Sequence, residues 1–286
     1  MLAFELIVQG LIQGSIYALI AVGLTLVYGL LRILHIAHAA LFTLGGYFGV
    51  LVTNATGSFG LAIVVAMVAV GGLGMLVYRF CYEPILARPP NVALIASIGL
   101  FIALEEVFRL VFGPYGISYT APPLTATVAV ASMNLKQAEI MVMAGVIVLI
   151  GGLAVLTRRT RVGIAWRATV TDPAMAQSFG VDVIKVRYLN FFIGSALAAA
   201  AGVMVALLNN LVEPTMGSVP SYKALAIIVL GGLGDVRGTL IAALALGVVE
   251  SFGTIYLGTI LDRDAIAFVF LIVVLMIRPQ GLFGKT

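Results

Sequence analysis

The stretch Leu61-Ala-Ile-Val-Val-Ala-Met-Val-Ala-Val-Gly-Gly-Leu-Gly-Met-Leu-Val77 decides the fold class. It carries no charge and shows no alternation of apolar with polar residues, whereas a membrane-spanning β-strand alternates over segments of about ten. In lipid every backbone polar group must be satisfied internally, so an unalternating apolar run is read as an α-helix. Ala196 to Leu208 reads the same way. Such runs are the rule here: 62% of the 286 residues are hydrophobic and only 10% are charged, with a mean hydropathy of +1.17. A soluble domain carries about 25% charged residues. Too few charges remain to clothe a water-facing surface, and lipid is the implied solvent.

Outward from Leu61–Val77 the apolar segments fall at about 6–31, 39–53, 59–78, 92–113, 139–157, 188–209, 222–233, 239–257 and 265–277. Each approaches the length a helix needs to cross a bilayer. The second and seventh are short, and the seventh runs into Gly231-Gly-Leu-Gly234, the reading of a half-helix. The expected fold is therefore all-α and polytopic, with eight to nine transmembrane or half-membrane helices in a single transmembrane domain over residues 1–286. Small residues recur inside the spans, at Gly71-Gly72, Gly151-Gly152 and Ser195 through Gly202, where they let helices approach closely.

The net charge of +4 does not point to nucleic acid, because the basic residues lie between apolar segments without interleaved aromatics. They orient the chain instead. Arg158, Arg159, Arg161, Arg167, Lys185 and Arg187 place the segment at about 158–187 in the cytoplasm by the positive-inside rule. Alternation then puts Arg32, Arg79, Arg88 and the tail with Arg278 and Lys285 inside, and the 114–138 loop outside. Met1 to Tyr17 contains Glu5 and no Lys or Arg, so it lacks the basic start of a cleaved signal peptide. The lone Cys81 has no disulfide partner.

Within 158–187 a short helix is marked at both ends. Asp172 is a good N-cap, Pro173 suits the first helical position, and Gly180 can take the left-handed conformation that closes a helix. The helix expected over Pro173–Phe179 is about 10 Å long and presents Ala174, Met175 and Phe179. It suits either an amphipathic segment lying on lipid or a knob fitting a groove on another protein.

A short helix after Gly163, preceded by basic residues and followed by Gly180 and a small-residue-rich span, resembles the cytoplasmic coupling loop of ABC importer permeases. Gln13-Gly-Ser-Ile-Tyr-Ala18, Ala37-His-Ala-Ala-Leu-Phe-Thr-Leu-Gly45, Leu230-Gly-Gly-Leu-Gly-Asp-Val-Arg-Gly238 and Arg278-Pro-Gln-Gly-Leu-Phe283 agree with it. Over essentially its whole length the chain resembles the branched-chain amino acid permease family, particularly its H-type subunit. The resemblance implies ATP-driven import of branched-chain or related amino acids across the bacterial inner membrane. It also implies a second permease, two cytoplasmic ATPases and an extracytoplasmic substrate-binding protein as partners, besides membrane lipid. ATP would be used on the ATPases, leaving this chain without a bound cofactor and without enzymatic activity. The Gly-Lys-Thr at 284–286 lacks the phosphate-loop pattern. Relatives that carry urea, small amides or another small polar solute define the alternative substrates, and a stand-alone secondary transporter is the rival mechanism.

Charges inside the spans complete the candidate sites. Glu105 and Glu106 lie within reach of Arg109 at i+4 and i+3, as a neutralised cluster at an interface or as a pathway position. Asp235 and Arg237 stand in the glycine-rich break, where they pair or meet a partner subunit. Glu250 is a further acid within a span. His35 and His38 have no Cys, Asp or Glu nearby to complete a metal site, and their role is read as structural. Asn54-Ala-Thr56 matches a glycosylation sequon.

Overall fold

A computed structural model describes residues 2–130, 133–278 and 280–282. Pro279 and residues 283–286, including Lys285 of the expected cytoplasmic tail, lie outside the described residues. Every one of the nine apolar segments is helical: α1 (Leu2–Leu31), α2 (His38–Thr56), α3 (Phe59–Val77), α4 (Pro90–Phe112), α5 (Gln137–Arg159), then, after two short helices α6 (Arg161–Thr171) and α7 (Pro173–Ser178), α8 (Val183–Asn209), α9 (Ser218–Gly231), α10 (Val236–Leu257) and α11 (Arg263–Ile277).

Among the described residues six helices are long and apolar enough to cross a membrane, fewer than the eight or nine expected: α1, α2, α3 with its extension to Ile85, α5, α8 and α10. The shortfall has two physical sources. Helices α9 and α11, with 14 and 15 residues, are only about 21–23 Å long at 1.5 Å per residue, against a hydrocarbon core of about 30 Å. Helix α4 is long enough at 23 residues, but Glu105, Glu106 and Arg109 interrupt its second half. The second segment, read as short, extends to 19 residues and belongs with the six.

Helices α1 and α8 form the centre. Helix α1 is buried from Ser15 through Val27, and α8 buries Gly194 through Met204. Alternating polarity is absent because neither has a water-facing side. Their small residues set the spacing. A side chain on Gly202 would run into the carbonyl of Phe42 in α2, and one on Gly45 would meet the Ala199 backbone. The α2–α8 crossing is therefore a backbone-to-backbone contact of the kind small residues permit.

Helix α9 enters late. After α8 the chain passes through the turn Pro214–Gly217, and Gly217 packs against the Ala39 carbonyl and Thr43 on the first turns of α2. Helix α9 thus starts within the bundle and ends at Gly232, whose φ of 103° only glycine adopts readily.

Helix α3 continues through one π-type turn, Tyr78–Tyr82. It turns Tyr78 and Tyr82 into a buried cluster with Phe191 and His35. In the otherwise helical chain the 114–136 connection contains a small antiparallel ribbon, β1 (Thr127–Val130) and β2 (Met133–Lys136), with Thr127 opposite Lys136. Asn54 anchors this connection: its Nδ2 donates to the Ser118 carbonyl at 3.1 Å and its Oδ1 accepts from the Thr120 N–H at 3.0 Å. Both ends of the amide are thus engaged by the chain itself, which accounts for Asn54 without glycosylation.

Candidate functional site

The α6–α7 hairpin is built by three successive caps. Thr160 Oγ1 accepts from the Gly163 N–H at 3.1 Å and starts α6. Asp172 Oδ1 accepts from the Met175 N–H at 2.9 Å and starts α7, with Pro173 at its first position as expected. Asp182 Oδ1 accepts from the Lys185 N–H at 3.1 Å and starts α8. That backbone N–H and the Lys185 ammonium hold the Asp182 carboxyl below the usual range. Gly180, at φ 83°, closes the hairpin in the left-handed conformation.

Two details differ from expectation. Helix α7 ends at Ser178, and Phe179 is its C-cap, because the Phe179 N–H already reaches back to the Met175 and Ala176 carbonyls as the chain turns. The preceding helix α6 was not anticipated, although Thr160 is an N-cap residue that marks its start. The expected presenting residues do lie outward: Met175 is 56% and Phe179 81% exposed, and Ala174 is exposed, while Ala176 faces in. Two large apolar side chains are thus held in the open on a rigidly capped turn.

The hairpin is wired into the bundle. Trp166 Nε1 on α6 donates to Asn190 Oδ1 on α8 at 2.9 Å, and Asn190 Nδ2 donates to the Leu26 carbonyl on α1 at 2.9 Å. Arg167 also donates to the Thr157 carbonyl at the end of α5. One amide therefore links the exposed hairpin to both central helices. Replacing Asn190 by alanine leaves the Trp166 N–H without its acceptor and removes the second donor to the Leu26 carbonyl, at an expected cost of about 1–3 kcal/mol. A matching drop in the melting temperature of the purified protein checks this, and an unchanged melting temperature would count against the link.

The remaining predicted residues do not converge on this hairpin. Arg109 Nη1 donates to Glu106 Oε1 at 2.6 Å and Nη2 to Glu105 Oε1 at 3.1 Å, so both acids pair with the one arginine and a negative charge is left over. The cluster is half-exposed. Asp235 and Arg237 do not pair through their side chains; Asp235 Oδ1 instead accepts from the Arg237 and Gly238 N–H groups at 2.8 and 3.0 Å and caps α10. His35 is fully buried, its Nδ1 at 2.6 Å from Tyr82 Oη, and its ring packs beside that of His38. No group of three or more potential metal ligands occurs among the described residues.

A second polar constellation was missed. Lys223 Nζ on α9 lies 2.8 Å from Glu250 Oε1 on α10 and 2.9 Å from Asp264 Oδ1 on α11. Arg263 Nε donates to Glu250 Oε2 at 2.8 Å, and Tyr17 of α1 donates to the same oxygen at 2.8 Å. Tyr222 donates to Asp264 Oδ2 at 2.6 Å. The Lys223 and Glu250 side chains are 3% and 0% exposed. Two cations thus meet two anions at a site that joins four helices, with the Lys223–Glu250 centre buried and Arg263 and Asp264 each 44% exposed at its rim. Lys223 and Glu250 inside apolar segments were the available signal, because a charge in lipid demands a partner.

Helices this apolar, packed on two central spans and carrying an exposed hairpin tied to both, define a polytopic membrane protein of the transporter-subunit class. The chain belongs to the family described as branched-chain amino acid transport system, permease component, whose model matches residues 6–278. It is similar to the high-affinity branched-chain amino acid transport system permease proteins LivH of Escherichia coli K12, at 33% identity over 97% of this chain and 94% of the relative, and BraD of Pseudomonas aeruginosa, at 30% over 98% and 95%. It is more distantly similar to LivM of Escherichia coli K12, at 24% identity over 95% of this chain and 68% of that protein. Among solved structures, PsaBC from Streptococcus pneumoniae in complex with Fab superposes with a TM-score of 0.52 at 12% identity, over 96% of this chain and 92% of that one. That likeness concerns the fold alone. The chain is a multi-pass permease component of the bacterial inner membrane, and its role is transport.

Proposed function

We propose that this chain is the H-type permease subunit of an importer for branched-chain amino acids, and that α7 is its docking element for the ATPases. The greater identity to LivH and BraD than to LivM supports the H-type assignment. The full assembly then contains a second permease, two cytoplasmic ATPases and an extracytoplasmic binding protein, with residues 1–286 forming one permease domain and 158–187 its cytoplasmic coupling loop. ATP binds the partner ATPases.

The observation that carries this reading is the exposure of Met175 and Phe179 on a capped turn whose neighbour α6 is hydrogen-bonded to α8 and α1. An apolar side chain the size of Phe contributes about 1.5–3 kcal/mol when buried, so Phe179 gains most by entering a groove on a partner. A push on α7 then reaches the central helices through Trp166 and Asn190. Alternating access follows as the two permeases reorient, and the half-exposed Glu105–Glu106–Arg109 cluster is assigned to contacts with a neighbouring subunit.

The test is a pull-down of the tagged chain from detergent-solubilised native membranes. ATPase subunits should accompany wild type and be lost from Phe179→Asp, with branched-chain amino acid uptake falling at least tenfold, since a charge in place of a buried anchor removes that burial and adds a desolvation cost. If the variant is folded and still retains ATPases and uptake, α7 is not the docking element.

A further inference from the structure

Two cavities that share a wall run along the surface between α5 and α10. The first, about 250 Å³, is lined by Arg158, Arg167 and Arg237 above Ile150, Leu153 and Leu240. The second, about 350 Å³, continues from Ile150 and Leu240 past Val146, Met143 and Leu244 to Leu11 of α1. Their common residues make one furrow with a cationic head and an apolar body. The three arginines are exposed, and none of them forms an ion pair among the described residues. The acid nearest in sequence, Asp235, is occupied at the N-terminus of α10.

We propose that this furrow binds one anionic phospholipid, its phosphate between Arg158, Arg167 and Arg237 and an acyl chain along Ile150, Leu240 and Met143. The charge distribution selects this occupant. Positive charge is confined to one end, at the cytoplasmic boundary under the orientation proposed above, and basic pockets between helices on that side suit anionic headgroups. From Arg158 to Met143 helix α5 descends about 22 Å, which exceeds half of the ~30 Å hydrocarbon core and so covers the depth of one leaflet's chains. Guanidinium groups offer phosphate the paired N–H geometry that a lone ammonium lacks. The lipid would sit against α6 through Arg167 and against the first turn of α10 through Arg237, beside the hairpin that connects to α1 and α8.

The test uses the importer purified with whatever partner subunits accompany it, stripped of lipid and titrated with phosphatidylglycerol or with phosphatidylcholine of the same acyl chains, bound lipid being counted by native mass spectrometry. Phosphatidylglycerol should bind at least tenfold more tightly. The variant Arg158→Gln/Arg167→Gln/Arg237→Gln should weaken it by roughly fivefold for each arginine removed. A second variant, Leu240→Trp, fills the shared wall and should expel the lipid with all three arginines intact. Co-elution of partner subunits with each variant verifies folding. Equal binding of the two lipids, or retention by the triple variant, would overturn the proposal. So would displacement by millimolar inorganic phosphate, which would indicate a free-anion site, or binding seen only in the isolated chain, which would indicate that a partner subunit covers the furrow.

Discussion

Glu250→Ala is expected to destabilise the protein by about 3–5 kcal/mol, the cost of breaking a buried ion pair and leaving its partner unmatched. Glu250 is the hub of its cluster: one oxygen takes Lys223, and the other takes both Tyr17 and Arg263. With the carboxylate gone, the Lys223 ammonium keeps Asp264 but loses its fully buried counter-charge. With its side chain only 3% exposed, it is cut off from solvent. The consequence should be concentrated on α9, which is too short to be held by lipid burial alone and is tied to α1, α10 and α11 through Lys223. Thermal melting of the purified assembly measures the loss. The paired substitution Lys223→Met/Glu250→Met should recover most of it, because a buried ion pair replaced as a unit by apolar residues is often neutral or stabilising. A single variant as stable as wild type, or a double variant no better than the single, would sink the account of this cluster as a staple.

The second large effect concerns packing. Gly202→Val is expected to cost at or above the upper end of the ~1–3 kcal/mol that overpacking usually costs, because the obstacle is the Phe42 carbonyl, part of the α2 backbone, rather than a side chain that could swing away. The helices would have to part, which would also disturb the neighbouring contact between Gly45 and the Ala199 backbone. Gly72→Val is the matched control. A side chain there meets nothing within 4 Å, and its effect should stay within about 0.5 kcal/mol. Equal melting temperatures for the two variants would show that α2 and α8 do not meet as described.

Much of the architecture is local and was therefore legible. The positions of the nine apolar segments follow from the transfer energetics of their own side chains, and each is a helix here. The start of α7 at Asp172 and Pro173, the turn at Gly180 and the Arg109 pairs on α4 are interactions over three to eight residues, which helical and turn geometry fix in advance. Helix α6 was missed because its eleven residues are far less apolar than those of the spanning helices, although the Thr160 N-cap is a local signal of its start.

The sequence by itself determined that this chain lives in lipid, that its helices are where they are, that 158–187 is its basic side, and to which permease family it is similar. Those properties are sums over neighbouring residues. Only the tertiary structure decided that Tyr17 meets Glu250 across 233 positions, that Trp166 and Asn190 join the hairpin to α1, and that Arg158, Arg167 and Arg237 share one furrow. A charged or small residue in an apolar helix announces that it needs a close neighbour. Which helix supplies that neighbour depends on how the whole bundle packs, and no local spacing encodes it.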